Sequence, residues 1–413
     1  MKRYQRTAIS QYILVASVLL SLVALGFLSD FVMKQIPFED QFAVTWAAGR
    51  LWLLEGVNPY SLEVSEFSRN QLAESNLLAG LPDTDRFLAP PLFNLIFYLP
   101  FSLIPYSLSK VIWTTLLILV IGLIGYFSIK LSGWKLTSVQ FIFGLAIMLL
   151  WFPSILAILS GGLSPVIIFL ILFGFFLVVK GEDTTAGFIF ALTFGALPVS
   201  ILFLIFITIF SIVKRRWSIL TAYLSGVAFL VVVSSLMLPS WFMDWLGLTI
   251  SRLANLDWVQ TPIMTLATQF PGIYDFLAYV LHAVILGYFI VLLITLADKS
   301  DLVVLWRLQV VLVLSYFLQI TASIPHLLFL LPALFMIFRF WSERWLGWGR
   351  IISWIALIGI GAGSWLMLFP EGGFSKMDKT PLAAIGLGAA VLIGILWSRW
   401  WISTVPQLFV NVD

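Results

Sequence analysis

Cysteine is absent from the 413 residues. That removes disulfides, thiolate catalysis, iron–sulfur clusters and cysteine-based zinc sites. Histidine is almost absent too: His282 and His326 are the only two, and two imidazoles alone do not make a zinc site. Charge is scarce, at 10% Asp, Glu, Lys and Arg where soluble proteins carry about 25%. The longest basic cluster is Lys214-Arg215-Arg216. It is too short to follow a phosphate backbone, which excludes a nucleic-acid partner, and it reads as a topology signal. No Walker A sequence, dinucleotide-binding glycine fingerprint, low-complexity tract or internal repeat is present.

What fills the chain is apolar. Hydrophobic residues make up 61% and the mean hydropathy is +1.05. A soluble fold has no interior large enough for that fraction, so the composition gives an all-α, polytopic membrane protein. Lys2, Arg3 and Arg6 precede an apolar run over about 9–28. That run is long enough for an uncleaved first span with a cytoplasmic N-terminus. Further runs occur at 107–129, 137–159, 165–180, 185–212, 217–238, 274–297, 301–320, 325–339, 350–369 and 382–400.

Run 185–212 carries Pro198 near its middle. It is either one tilted span or two half-helices meeting near the proline. The broken alternative leaves 91–106 as a non-crossing segment and gives about twelve spans. It also gathers 14 basic against 6 acidic residues inside, and leaves 7 basic against 14 acidic outside, with Lys110 and Arg307 ambiguous. The positive-inside rule favours that arrangement, in the plasma membrane. The chain then reads as one membrane-embedded domain. It comprises a first span (1–30), a long outer loop (31–90), a helical core (91–238), a second outer loop (239–273) and C-terminal helices (274–413).

Ionisable residues are nearly missing from the middles of these runs. A proton relay or ion pathway needs such groups at mid-depth, so the chemistry is expected at a membrane face, where the outer loops carry acids. The first outer loop opens with Phe38-Glu39-Asp40-Gln41-Phe42, followed by an amphipathic stretch to Glu55 and then Gly56. The pattern predicts an interfacial helix capped by Asp40 and ended by Gly56. Asp40 is then a helix cap or a general base at the membrane surface. The two roles are compatible, because a capping carboxylate keeps a second oxygen.

Four groups of residues fall in a recognisable order. They are Asp40 with Ala47-Ala48-Gly49 and Gly56-Val57-Asn58-Pro59-Tyr60, then Pro90-Pro91-Leu92 through Pro100 to Trp113. After them come Ser160-Gly161-Gly162-Leu163-Ser164 with Ala186-Gly187, Leu197-Pro198 and the basic trio, and finally Ser323-Ile324-Pro325-His326-Leu327 with Leu331-Pro332. The pattern, over roughly 1–340, resembles glycosyltransferase family 87, the DUF2029 group of the GT-C superfamily. That group includes polyprenol-phosphate-mannose-dependent mannosyltransferases.

The resemblance implies a GT-C-like fold and an inverting transfer of a hexose, mannose favoured. The donor is a polyprenyl-phosphate sugar and the acceptor is lipid- or glycan-linked, with transfer at the outer face among membrane lipid. It makes Asp40 the base and places His326 near the donor phosphate or the acceptor. Two departures stand out: Gly162 occupies the place of a frequent Gln, and Gly195 to Leu197 offer no Lys before Pro198.

Candidates for binding the charged head are Arg50, Arg86 and Arg252, each of which is otherwise a snorkelling interfacial residue. Glu39, Tyr60 and Ser164 complete the expected substrate contacts. Trp241, Trp245 and Trp258 suit sugar stacking or the aromatic belt. The phosphate leaves as a stabilised anion, so one carboxylate suffices and the reaction demands neither a metal nor another cofactor. The rival readings are a lipid or solute transporter without chemistry and an inactive homologue.

Overall fold

The computed structural model describes residues 23–36, 38–75, 79–80, 97–254, 261–296, 300–319, 323–368 and 382–403, with positions 17, 20, 21 and 95. It is helical nearly throughout. A first helix, α1 (23–35), runs past the expected end of the first span. The outer loop holds α2 (Gln41–Glu55), α3 (Leu62–Glu74) and two two-residue strands, Phe38–Glu39 and Ala79–Gly80, paired in parallel. The core begins with α4 (Leu99–Ser102), α5 (Tyr106–Ser132), α6 (Ser138–Leu149), α7 (Phe152–Ser160) and α8 (Ser164–Lys180). It continues with α9 (Asp183–Thr193), α10 (Leu197–Val213) and α11 (Trp217–Met237). The second outer loop carries α12 (Trp241–Ala254) and α13 (Pro262–Ala267), and α14 (Tyr274–Ile294) and α15 (Asp301–Leu318) follow. A 3-10 segment, Ile324–Leu330, leads into α16 (Leu331–Arg344), then α17 (Leu346–Leu368) and α18 (Leu382–Ser403).

Six helices among the described residues are long and apolar enough to cross a membrane, or seven if α6 and α7, bent by 57°, form one broken span. The protein is therefore a polytopic helical membrane protein. Among the described residues six or seven helices meet that length, against the twelve spans expected. Ser164–Lys180, Val199–Val213 and Leu302–Leu318 are apolar but short. Run 185–212 is interrupted by a 3-10 turn at Phe194–Ala196, just ahead of Pro198. Proline removes a backbone donor and clashes with the preceding turn, so the helix restarts there.

The bundle has a clear centre. Of the six long helices, Ile324–Arg344 has 89% of its apolar window buried by protein, against 17–50% for the rest. The other five present much of their surface to lipid. His326 stands at the start of this enclosed element, in the turn that feeds it.

Helix α2 is built as its sequence suggests. Asp40 Oδ1 accepts from the Ala43 backbone N–H at 3.1 Å, and Gly56 closes the helix at φ 69°. Its packing is different from that of a helix lying on a surface. Phe42, Ala43, Thr45, Trp46, Ala47, Ala48, Gly49 and Leu51 are all buried. The small residues let α4 approach: a Cβ on Gly49 would lie 2.4 Å from Ser102 Oγ. Trp46 Nε1 donates to Phe101 O at 3.0 Å and Ser102 Oγ donates back to Trp46 O. Helix α2 thus docks onto the mouth of the core and fixes where its first residue, and Asp40 before it, must lie.

Candidate active site

Asp40 is completely buried. A carboxylate out of contact with water needs compensation at both oxygens, and the first two turns of α5 provide it. Lys110 Nζ lies 2.8 Å from Asp40 Oδ1, and the Tyr106 hydroxyl donates to Oδ2. Tyr106 and Lys110 are four residues apart, so one helix face presents both. The backbone N–H of Asp40 donates to Gly80 O at 2.8 Å, extending the small strand pair and fixing the carboxylate from behind. The second oxygen expected to stay open on a capping Asp40 is therefore occupied by a phenol. Tyr98 packs at a tilt against Trp113 and Phe42 in the same enclosure, where burial and then the Asp40 charge push its phenol well above the ordinary tyrosine range.

Lys110 is also fully buried. Its ammonium donates a second hydrogen bond to Leu159 O at 2.7 Å, and the charge sits 5.0 Å and 5.6 Å from the Phe38 and Phe42 ring centres. One side chain thus ties the outer loop to the end of α7. The turn beyond α7 is Ser160-Gly161-Gly162-Leu163-Ser164. Gly161 adopts φ 68°, and a Cβ there would meet Lys110 Nζ and the Phe42 Cβ, each at 2.7 Å. Its carbonyl accepts from Trp113 Nε1 at 2.8 Å. At Gly162 the space a side chain would take is filled by the Gln41 carboxamide, whose Oε1 lies 2.3 Å from an ideal Cβ. A larger residue at 162 and the present Gln41 conformer exclude one another.

The same turn reaches His326. The Ser323 backbone N–H donates to His326 Nδ1 at 3.3 Å. In the neutral ring the other nitrogen then carries the proton, so Nε2 donates to Ser164 Oγ at 2.9 Å. Both residues open helical elements, Ser164 at the first turn of α8 and His326 in the turn before α16. Asp40, the 160–164 turn and His326 therefore form one continuous set of contacts, although they are separated by more than a hundred residues in each case.

The other expected residues lie elsewhere. Arg50 is ten positions along α2 from Asp40, about 15 Å at 1.5 Å per residue. Its guanidinium donates to Ser102 O at 3.1 Å and lies over the Trp46 ring. Tyr60 follows the far end of α2. Its backbone N–H donates to Asn58 Oδ1, and Asn58 Nδ2 donates to Asp244 Oδ2 at 2.7 Å, joining the two outer loops. Burial and then Asp244 raise the Tyr60 phenol above its ordinary value. Glu39 is half-buried in the first strand. Arg252 is in α12 but its side chain lies outside those described, as do Arg86, Pro90-Pro91-Leu92, Asp257, Trp258 and Gln260.

Sequence reasoning left Lys110 ambiguous between the two sides of the membrane. The available signal was a lysine one turn into an otherwise apolar helix, which must find a buried partner or water. Its spacing of four from Tyr106 was the second clue. Gln41 carried no signal beyond its place beside Asp40.

The model described as glycosyltransferase family 87 matches residues 87–321 of the chain. No curated protein matches it.

Proposed function

The chain belongs to glycosyltransferase family 87, whose model spans more than half of it, and from that premise we propose a GT-C-type hexosyltransferase acting at the outer face of the plasma membrane. The donor is a polyprenyl-phosphate hexose, mannose favoured, and the acceptor is a lipid- or glycan-linked sugar. The bundle crosses the membrane about twelve times when the short and broken helices are counted with the long ones, and residues 31–90 form its outer catalytic loop.

The observation that carries this reading is Asp40, fully enclosed and gripped by Lys110 and Tyr106 where the outer loop meets the core. The Tyr106 hydroxyl at Oδ2 marks where an acceptor hydroxyl would sit after the phenol turns aside. Lys110 keeps its hold on Oδ1, so the carboxylate stays oriented while Oδ2 changes partner. Asp40 then takes the acceptor proton as the acceptor oxygen attacks the anomeric carbon from the face opposite the phosphate. The bond between that carbon and the phosphate oxygen breaks, and polyprenyl phosphate departs with the bonding pair. The configuration inverts. The charge developing on the leaving group needs no separate proton donor.

The Ser164–His326 pair, with its ring proton on Nε2, supplies a donor to the phosphate or to the acceptor. The Gln41 carboxamide, over Gly162, adds another polar group beside Asp40. Arg50, Glu39, Tyr60 and Arg252 belong to the wider outer surface that receives the substrates.

The test is direct. Purified protein is incubated with a panel of polyprenyl-phosphate sugars, and released polyprenyl phosphate is followed with and without candidate acceptors. Release from one donor, dependent on an acceptor, is the expected result. Absence of release from every donor, with the protein folded, would sink the proposal.

A further inference from the structure

A general base needs an oxygen to receive the proton, and in this structure both oxygens of Asp40 are taken. Oδ1 accepts from the Ala43 backbone N–H at 3.1 Å and from Lys110 Nζ at 2.8 Å. Oδ2 accepts from the Tyr106 hydroxyl. Asp40 and Lys110 have no exposed surface, and Tyr106 has 3%. The carboxylate therefore meets neither water nor an acceptor unless the phenol moves.

The two partners from α5 are held differently. Lys110 is anchored from two sides, because its ammonium also donates to Leu159 O at 2.7 Å. Tyr106 is the first residue of α5, directly after the proline that caps it. Its ring is held by aromatic packing: Trp46 meets it edge-on with centres 5.4 Å apart, and Phe42 lies at a tilt at 6.4 Å. Trp46 is stacked in turn on Phe67 of α3 at 6.1 Å. The phenol thus closes Oδ2 from the side of the outer-loop helices. Turning it out disturbs ring contacts that run from α5 through α2 to α3.

Water and an acceptor meet that cost differently. Water replaces one hydrogen bond and brings no other contact. A glycan or lipid-linked acceptor binds through the rest of its structure, and that binding energy can drive the rearrangement. Given the transferase reading, on which this rests, we propose that Tyr106 is a guard against hydrolysis of the donor. Its phenol keeps Asp40 from activating water and gives way only to a bound acceptor. In the step it blocks, a water oxygen attacks the anomeric carbon and Asp40 takes the water proton. The bond from that carbon to the phosphate oxygen breaks, polyprenyl phosphate leaves with the bonding pair, and free hexose remains. Excluding water from the base prevents this loss of donor. Tyr106 acts through Asp40 and is a positioning residue.

The test measures donor cleavage with and without an acceptor. The purified full chain is given polyprenyl-phosphate mannose or polyprenyl-phosphate glucose in water enriched in heavy oxygen, with octyl glycosides as acceptors in a parallel set. Free hexose labelled at its anomeric oxygen reports attack by water at that carbon. Tyr106→Phe keeps the ring and its packing and removes only the hydroxyl. Without acceptor it should form labelled hexose about ten- to hundredfold faster than the wild type, the worth of one hydrogen bond to a charged group. Tyr106→Leu, which opens more space, should change in the same direction. Adding Asp40→Asn to Tyr106→Phe should abolish the gain, because the water then has no base. A merely structural tyrosine predicts slower hydrolysis and slower transfer together. Folded Tyr106→Phe and Tyr106→Leu that release hexose no faster than the wild type would overturn the guard. So would a wild type that forms free hexose as fast as it glycosylates the acceptor, a measurement that needs no variant to fold. In both cases transfer by the wild type leaves the transferase reading standing. Failure of every protein to cleave any donor, with or without acceptor, would sink that reading and the guard with it.

Discussion

Lys110 Nζ and Asp40 Oδ1 are 2.8 Å apart with neither side chain exposed to solvent. The pair joins a loop helix to the first long helix of the core, and its energetics are asymmetric. Removing both charges costs little when the space is filled, but removing one leaves the other buried and uncompensated, at about 3–5 kcal/mol. Lys110→Met is therefore expected to lower the melting temperature sharply, and Lys110→Met with Asp40→Asn to recover part of the loss. The double variant should remain inactive. Equal melting temperatures for the wild type and Lys110→Met would show that Asp40 is not left uncompensated when Lys110 is removed.

Asp40 has two separable roles, cap and base. Asparagine caps a helix about as well as aspartate, so Asp40→Asn keeps the hydrogen bond to Ala43 N–H while losing the ability to take a proton. Transfer should fall by about 10²–10⁴-fold, the usual contribution of a positioned general base. Helix content, read by circular dichroism, should be unchanged, although the melting temperature should drop because Lys110 loses its charged partner. A variant that transfers sugar at the wild-type rate would remove Asp40 from the chemistry.

The helix boundaries around Asp40 were legible because capping is local. An Asp at one end, a Gly at the other and fifteen helix-forming residues between them need no tertiary information. The membrane character was legible from composition alone. The partnership of Asp40 with Lys110 was not, since it spans 70 positions and depends on how α2 docks. Arg50 illustrates the same limit. Its chemistry suits a phosphate, but the carbonyl of Ser102 and the face of Trp46 lie within its reach and hold it. The break in run 185–212 was legible from Pro198, and the structure has its turn just ahead, at Phe194–Ala196. The bend between Leu149 and Phe152 was not, because hydropathy averages across it.

Ser164 and His326 can be distinguished by what each variant loses. Ser164→Ala removes one neutral hydrogen bond, about 0.5–1.5 kcal/mol, and leaves the imidazole in place. Its transfer rate should drop by less than about tenfold. His326→Ala removes the donor itself and should raise KM for the donor or lower kcat by a larger factor. Normal values for both constants in His326→Ala would exclude a substrate contact.

Gly161 and Gly181 both have positive φ, 68° and 83°, but only Gly161 is crowded. An alanine at either position strains the backbone by about 1–2 kcal/mol. At Gly161 its Cβ would also lie 2.7 Å from Lys110 Nζ and the Phe42 Cβ, whereas at Gly181 it meets nothing within 4 Å. Gly181→Ala should therefore melt slightly below the wild type and remain active. Gly161→Ala should melt far lower and lose transfer, because the carboxylate is displaced with its lysine. Similar behaviour of the two variants would mean that the turn at 161 tolerates a shift of its neighbours.

Alkaline pH tests the contact between the two outer loops. The Tyr60 phenol is raised from its ordinary value of 10.0, first by burial and then by Asp244. The folded protein therefore holds the neutral form at pH values where the unfolded chain has begun to release its proton. Below about pH 10 both states are protonated and this residue gives stability no pH dependence. Above pH 10 the unfolded state gains by ionising and the folded state does not follow, so stability falls as pH rises, by at most about 1.4 kcal/mol per unit from this group. Tyr60→Phe has no proton to lose. Its melting temperature should change less steeply than that of the wild type between pH 10 and 11, and the gap between the two should stay constant from pH 7 to 9. Parallel curves across the whole range would show that Tyr60 ionises as freely in the folded protein as in the unfolded chain.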